Sequence, residues 1–250
     1  MLMRMKGHNG YSPCRMCNIK GLCLPGSSGS HTLYVPLNRA THPDVTQNPT
    51  AINHYDPHHL PLRTYHEFIQ QAEEVDATTT SKDADNLSKK YGIKGRPVLS
   101  HLHSLHFPLS FPYDFMHLIW ENLIKNLILL WTGGFKGLDE GRESYELSGT
   151  VWKAIGETTA RSGSFIPAAY GAHVPNIVAE GVSISAEMWS FWTLHLGPVY
   201  LQRRFKNRKY YNHFICLVKL LNICLQFEIS DDDIEELREG FIKWVEDYEM

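Results

Sequence analysis

The sequence predicts a mainly α protein with few or no long strands, and three observations carry that expectation. Residues 114–131 follow a helical period and are apolar on nearly every side but one. Helix-capping residues Ser185 and Ser230 precede periodic segments, the second followed by Asp231, Asp232 and Asp233 in the first turn. Ten of the thirteen prolines lie in residues 1–113, which leaves the second half largely free of the strongest helix breaker. Nowhere do strand-like runs follow one another long enough to make a sheet.

The elements follow in order. Residues 1–80 are expected to be a loop-rich Cys/His segment, rich in turn residues and poor in periodic stretches. A helix over 63–75 runs out into Asp76-Ala-Thr-Thr-Thr-Ser81. Residues 81–113 read as a linker with one short helix over 82–91, started near Ser81 with Asp83 and Asp85 in its first turn and closed by Gly92. Residues 114–250 are expected to be a helical domain. After 114–131, Thr132-Gly-Gly-Phe-Lys-Gly137 marks a turn, 148–159 a short helix, and 162–176 a loop with Gly163, Pro167, Gly171 and Pro175. Ser185 caps a helix through about Leu196 that Gly197-Pro198 should end. Two more helices follow, over 209–227 and from Ser230 to the last residue.

The first helix of the helical domain concentrates the chemistry. At about 100° per residue, Asp114, His117, Glu121 and Lys125 share a stripe roughly 80° wide. Phe115, Leu118, Ile119, Trp120, Leu123, Ile124 and Leu127 through Leu130 cover the rest. A helix apolar almost all round is expected to be buried, and charges on it must be paired, metal-bound or shifted in pKa.

Composition narrows the function classes. Hydrophobic residues make up 43% of the 250 and charged ones 20%, as in a globular protein with a sizeable core. A formal net charge of −3 gives no global reason to bind nucleic acid, so such binding must use a local patch. No charge-free apolar run of membrane-spanning length occurs, so no membrane partner is expected. The first residues lack the continuous apolar stretch of a signal peptide. The five cysteines form no obvious disulfide framework, which fits a reducing compartment.

Cys14-Arg-Met-Cys17 has the spacing at which two thiolates share one tetrahedral zinc ion. In a core-poor segment such a staple is expected. A complete site needs two more ligands. Cys23 and seven histidines between His8 and His66 are available, of which His31 and His66 are chosen here. The run His101-Leu-His103-Ser-Leu-His106 reads as ordinary loop histidines.

Several stretches resemble CACTA-type (En/Spm-like) transposases, especially those of basidiomycete fungi. Gly7 through Gly21 around the Cys-x-x-Cys resembles the family's Cys-x-x-Cys insertion. Leu60-Pro-Leu-Arg63, Lys90-Tyr-Gly-Ile-Lys-Gly95 and Phe111-Pro-Tyr-Asp-Phe-Met-His117 with Glu121-Asn122 also match. So do Leu129-Leu-Trp-Thr-Gly133, Ala186-Glu-Met-Trp-Ser-Phe-Trp192 and Leu196-Gly-Pro-Val199. The resemblance implies the helical C-terminal half of an RNase H-like transposase domain, a nuclear location, and DNA (transposon ends) as the partner. It implies DNA cleavage and strand transfer at two Mg²⁺ ions held by two aspartates and a glutamate. Glu121 matches that glutamate; His117 would orient it or bind phosphate, and Asn122 would hydrogen-bond behind it. Both family aspartates precede the Cys-x-x-Cys, whereas no Asp or Glu precedes Cys14 here. The chain therefore reads as a C-terminal fragment, inactive alone, with a non-catalytic zinc-binding helical module contacting DNA or protein as the alternative.

Arg203, Arg204, Lys206, Arg208 and Lys209, followed by Tyr210, Tyr211 and His213, form the basic cluster, suited either to phosphates and base stacking or simply to a solvated helix-junction face. Trp189, Phe191 and Trp192 are expected in the core. Without the family's sheet, the apolar surface opposite Glu121 should be incompletely covered and open to self-association.

Overall fold

Side chains cap the helices of this chain and so set where they begin. In the computed structural model, which describes residues 2–7, 10–23, 32–33, 37–135, 143–171 and 173–250, hydroxyls of Thr64, Thr80, Ser148, Ser185 and Ser230 each accept a backbone N–H from the first turn that follows. The Asn207 side chain does the same for Lys209, at 2.9 Å. Each such cap contributes about 1 kcal/mol by satisfying an otherwise orphaned donor.

The elements are β1 (Leu22–Cys23), β2 (Thr32–Leu33), α1 (Pro43–Thr46), α2 (Tyr65–Asp76), α3 (Ser81–Tyr91), α4 (Ile124–Trp131), α5 (Gly149–Ser162), α6 (Ala186–Phe191), α7 (Gly197–Tyr200), α8 (Arg208–Cys224) and α9 (Asp231–Glu249). A π-helical stretch, Met116–Leu123, leads into α4, and another, Trp192–Leu196, joins α6 to α7. The two short strands pair antiparallel, Leu22 with Leu33. The fold is thus mainly α. Among the described residues, no helix is long and apolar enough to cross a membrane.

The chain divides into two units, Met1–Pro112 and Tyr113–Tyr248. In the first, Phe68 and Ala72 of α2 meet Met3, Met5, Ile93 and Phe107 in a small core, with Phe68 and Phe107 stacked at 5.4 Å. So small a core leaves much to polar ties, and Arg63 is the main one. Its guanidinium, 5% exposed, donates to the carbonyls of Cys14 (3.0 Å), Ser12 (2.7 Å) and Tyr91 (2.8 Å) and to Gln71 Oε1 (3.1 Å). One side chain thereby joins the Cys14 loop, α2 and the end of α3. Gly92 closes α3 at φ +75°, and a Cβ there would collide with the Ser12 carbonyl.

In the second unit the core is aromatic. All six tryptophans are buried, Trp192 completely. Trp192 meets Trp152 and Trp189 edge-on at 6.2 and 6.1 Å, and its indole N–H donates to Thr159 Oγ1 at 3.2 Å. Trp131 of α4 meets Phe205 and Phe214 edge-on, which seats the 201–207 turn on the core. Along α8 and α9, His213 stacks on Trp244 at 4.5 Å. His213 Nε2 lies 2.9 Å from the Trp244 carbonyl, and the Trp244 indole N–H donates back to the His213 carbonyl at 3.1 Å. Burial lowers the His213 pKa, because a charged ring there would lose its water.

Two expectations are corrected. The helix over 114–131 is not buried on all sides: Ile119, Trp120, Ile124, Leu127 and Trp131 face the core, while Met116, Leu118 and Leu129 stand 45%, 45% and 42% exposed. The π-helical stretch changes the angular step between residues, so a wheel of constant pitch misplaces side chains over 116–123. Gly197-Pro198 does not end its helix either. Pro198 falls in the first turn of α7, where no N–H is needed, and the helix runs on to Tyr200. Gly197 is required for closeness, since a Cβ there would lie 3.0 Å from Phe214 Cζ.

Candidate functional site

The Cys14-Arg-Met-Cys17 loop is held against residues 61–63. Asn18 N–H donates to Pro61 O, Arg63 N–H donates to Met16 O, and Cys17 bridges Leu62. Inside the loop, Cys14 Sγ accepts the N–H groups of Met16 and Cys17, each at 3.3 Å. Two N–H donors converging on one sulfur favour its thiolate, the form that binds metal. A side-chain hydrogen bond to Cys14, and then burial, push the Cys17 thiol far up. The spacing offers two soft donors, while the raised Cys17 pKa favours its protonated form over the thiolate that binds metal. Of the two further ligands expected, His31 lies outside the described residues. His66 is exposed in the first turn of α2. Among the described residues, no three of His, Cys, Asp and Glu gather around a metal-sized point, so His66 is not brought to the pair.

The polar stripe is brought together, but in water. His117 Nδ1 lies 2.7 Å from Asp114 Oδ2, and His117 Nε2 lies 3.5 Å from Glu121 Oε2. The side chains of Asp114 and His117 are more than half exposed, and that of Glu121 is 35% exposed. The Asp114 hydrogen bond, with its negative charge, raises the His117 pKa, and the same bond lowers that of Asp114. The Asn122 amide donates to the His117 carbonyl, so it supports the π-helical turn rather than Glu121. Among the described residues Lys125 joins no ion pair with Glu121 or Asp114; Glu121 turns to the imidazole. The Mg²⁺ expectation fits this arrangement poorly. Asp114 and Glu121 face one imidazole from either side, and the raised His117 pKa favours its cationic form, which would repel a divalent ion.

The basic cluster occupies the turn before α8 and that helix's first residues. Leu201 and Phe205, fully and nearly fully buried, anchor the turn, and the residues between and after them point outward. Arg203, Arg204, Lys206, Arg208 and Lys209 are all exposed, and among the described residues none of them has an acidic partner within ion-pair distance. Lys209 Nζ sits 5.0 Å above the Tyr210 ring, and Arg204 Nε donates to the Tyr200 carbonyl at 3.4 Å. Gln202, Arg203, Phe205, Arg208 and Tyr211 line a recess of about 180 Å³. The Tyr211 hydroxyl donates to the Pro198 carbonyl at 2.8 Å, which fixes its ring. His213, grouped with this cluster in the sequence, instead turns to Trp244.

Sequence reasoning missed the roles of Arg63, Gln202 and Phe205. Arg63 lay within a stretch singled out only by resemblance. For Phe205, the signal was an apolar residue between Arg204 and Lys206. No protein-family model, curated protein or solved structure matches the chain.

Proposed function

We propose that this chain is a transposase-derived protein that contacts DNA through residues 203–209 and does not cut it by itself. The observation that carries the reading is the set of five exposed cations within seven residues, none with an acidic partner among the described residues, in a chain whose net charge is −3. Like charges so close repel one another, and a polyanion relieves that repulsion while releasing its own counterions. The buried Leu201 and Phe205 anchor the backbone that carries the cations, so the turn itself needs little ordering when the phosphates arrive.

Transposase ancestry rests on the sequence resemblance. Catalysis is not part of the reading, because Glu121 faces the His117 imidazole and the matched set holds a single carboxylate. Cys14 and Cys17 would hold a structural zinc ion within the first unit. A nuclear location and self-association through Met116, Leu118 and Leu129 belong to the same proposal.

The test is binding of a labelled DNA duplex across a salt series, alongside incubation with Mg²⁺ to detect nicking. The expected outcome is no cleavage and an affinity that falls steeply with salt, with a logarithmic slope losing roughly 0.9 for each phosphate contact removed. Replacing Arg203, Lys206 and Arg208 by glutamine should flatten that slope. Binding that ignores both salt and these substitutions would refute the interface, and Mg²⁺-dependent nicking abolished by Glu121→Gln would refute the non-catalytic reading.

A further inference from the structure

We infer that the recess at the start of α8 takes the base of an unpaired nucleotide, so that the basic cluster holds single-stranded DNA in preference to duplex. This rests on the DNA-contact reading above and names its substrate class. A duplex backbone needs only outward cations, and its bases are stacked away from any pocket. Here the cations surround a recess with an aromatic lining.

Its volume of about 180 Å³ is well below the roughly 300 Å³ at which sites for whole cofactors begin, and suits a single planar ring system. Phe205 supplies an apolar wall that Trp131 and Tyr210 hold in place from behind. Tyr211 supplies a second ring, fixed by its bond to Pro198. Aromatic faces accept any base by stacking, because every base has a π-face. Gln202 brings an amide with no hydrogen-bond partner among the described residues, and that amide can meet a base edge.

Around this wall stand Arg203 and Arg208 on the lining itself and Lys206 between them in sequence, all exposed and, among the described residues, without an acidic partner. Phosphates on either side of a splayed base would lie against them. Arginine planes also stack on bases, which adds to the preference for an unpaired strand. An apolar lining rimmed by unpaired cations is what a nucleotide, apolar in its ring faces and anionic in its backbone, complements.

The experiment is fluorescence anisotropy with the full chain and three labelled probes: a short oligothymidylate, an abasic strand of the same phosphate count, and a duplex of the same length. The expected result is that oligothymidylate binds roughly tenfold tighter than the abasic strand, the lower range of base–aromatic stacking, and tighter than duplex. Tyr211→Leu should erase the difference between oligothymidylate and abasic strand while leaving duplex affinity in place. Arg203→Gly should weaken all three probes. Arg203 has φ +60°, which glycine adopts freely, so this variant removes the guanidinium without straining the turn. If Tyr211→Leu does not fold, the wild-type comparison of base-bearing and abasic strands still decides. Equal affinity for those two strands overturns the base pocket and leaves the DNA-contact reading standing. Binding of every probe that is indifferent to Arg203→Gly and to the neutralised cluster overturns both.

Discussion

Arg63→Met removes the guanidinium on which the first unit depends while keeping a side chain of similar length. In the native structure the group serves three backbone carbonyls, those of Ser12, Cys14 and Tyr91, besides Gln71. A buried carbonyl left without a donor costs about 1–3 kcal/mol. Some of the three will regain water once the charge is gone, so the sum settles at about 3–5 kcal/mol. That is a large part of the roughly 5–15 kcal/mol that holds a domain folded. For a unit of this size it corresponds to a fall in midpoint of roughly 10–20 °C. Thermal unfolding would measure it, with thiol labelling of Cys14 and Cys17 across a urea series as a second readout. The Cys14 loop should become reactive at denaturant concentrations where α2 is still helical. Arg63→Lys should recover little, because one ammonium cannot span three separated carbonyls. A midpoint unchanged within 2–3 °C, on the order of half a kcal/mol, would refute the assignment of Arg63 as the tie of this unit.

Three further outcomes follow from the structure. The His213 pKa is lowered by burial, so the folded chain binds its proton less readily than the unfolded chain does. Its contribution to stability is complete above the unfolded value near 6.5 and declines as pH falls below it. His213→Gln should flatten this part of the profile of midpoint against pH, and an unaltered profile would show that the ring is not the titrating group. His117, with its pKa raised by Asp114, works in the opposite direction, its contribution fading as pH rises through the raised value. Gly92→Ala should cost about 1–3 kcal/mol, since it combines a left-handed backbone with a collision against Ser12. Thermal unfolding that shows no loss would mean that the Ser12 loop shifts freely.

Local rules were legible in the sequence. The caps at Ser185 and Ser230, the closing Gly92 and the periodicity of 148–159 identified helices that the structure extends or trims by a few residues, because capping chemistry and glycine's positive φ act over a single turn. The exposed basic cluster was equally legible, since five cations in seven residues can only face water or an anion. Which face of 114–131 is covered was not legible. It depends on a π-helical change of pitch and on whether Trp131 finds distant partners such as Phe205 and Phe214, and neither is encoded within the helix itself. Arg63 likewise looks like any surface arginine until the fold gathers three carbonyls around it. The recess beside Tyr211 exists only because Phe205 is drawn into the aromatic core and leaves its charged neighbours outside. Sequence by itself determined the helices and the charge, which arise from neighbours along the chain; the tertiary structure decided burial, the ties between loops and the shape of the site, which arise from residues that meet only after the chain has closed on itself.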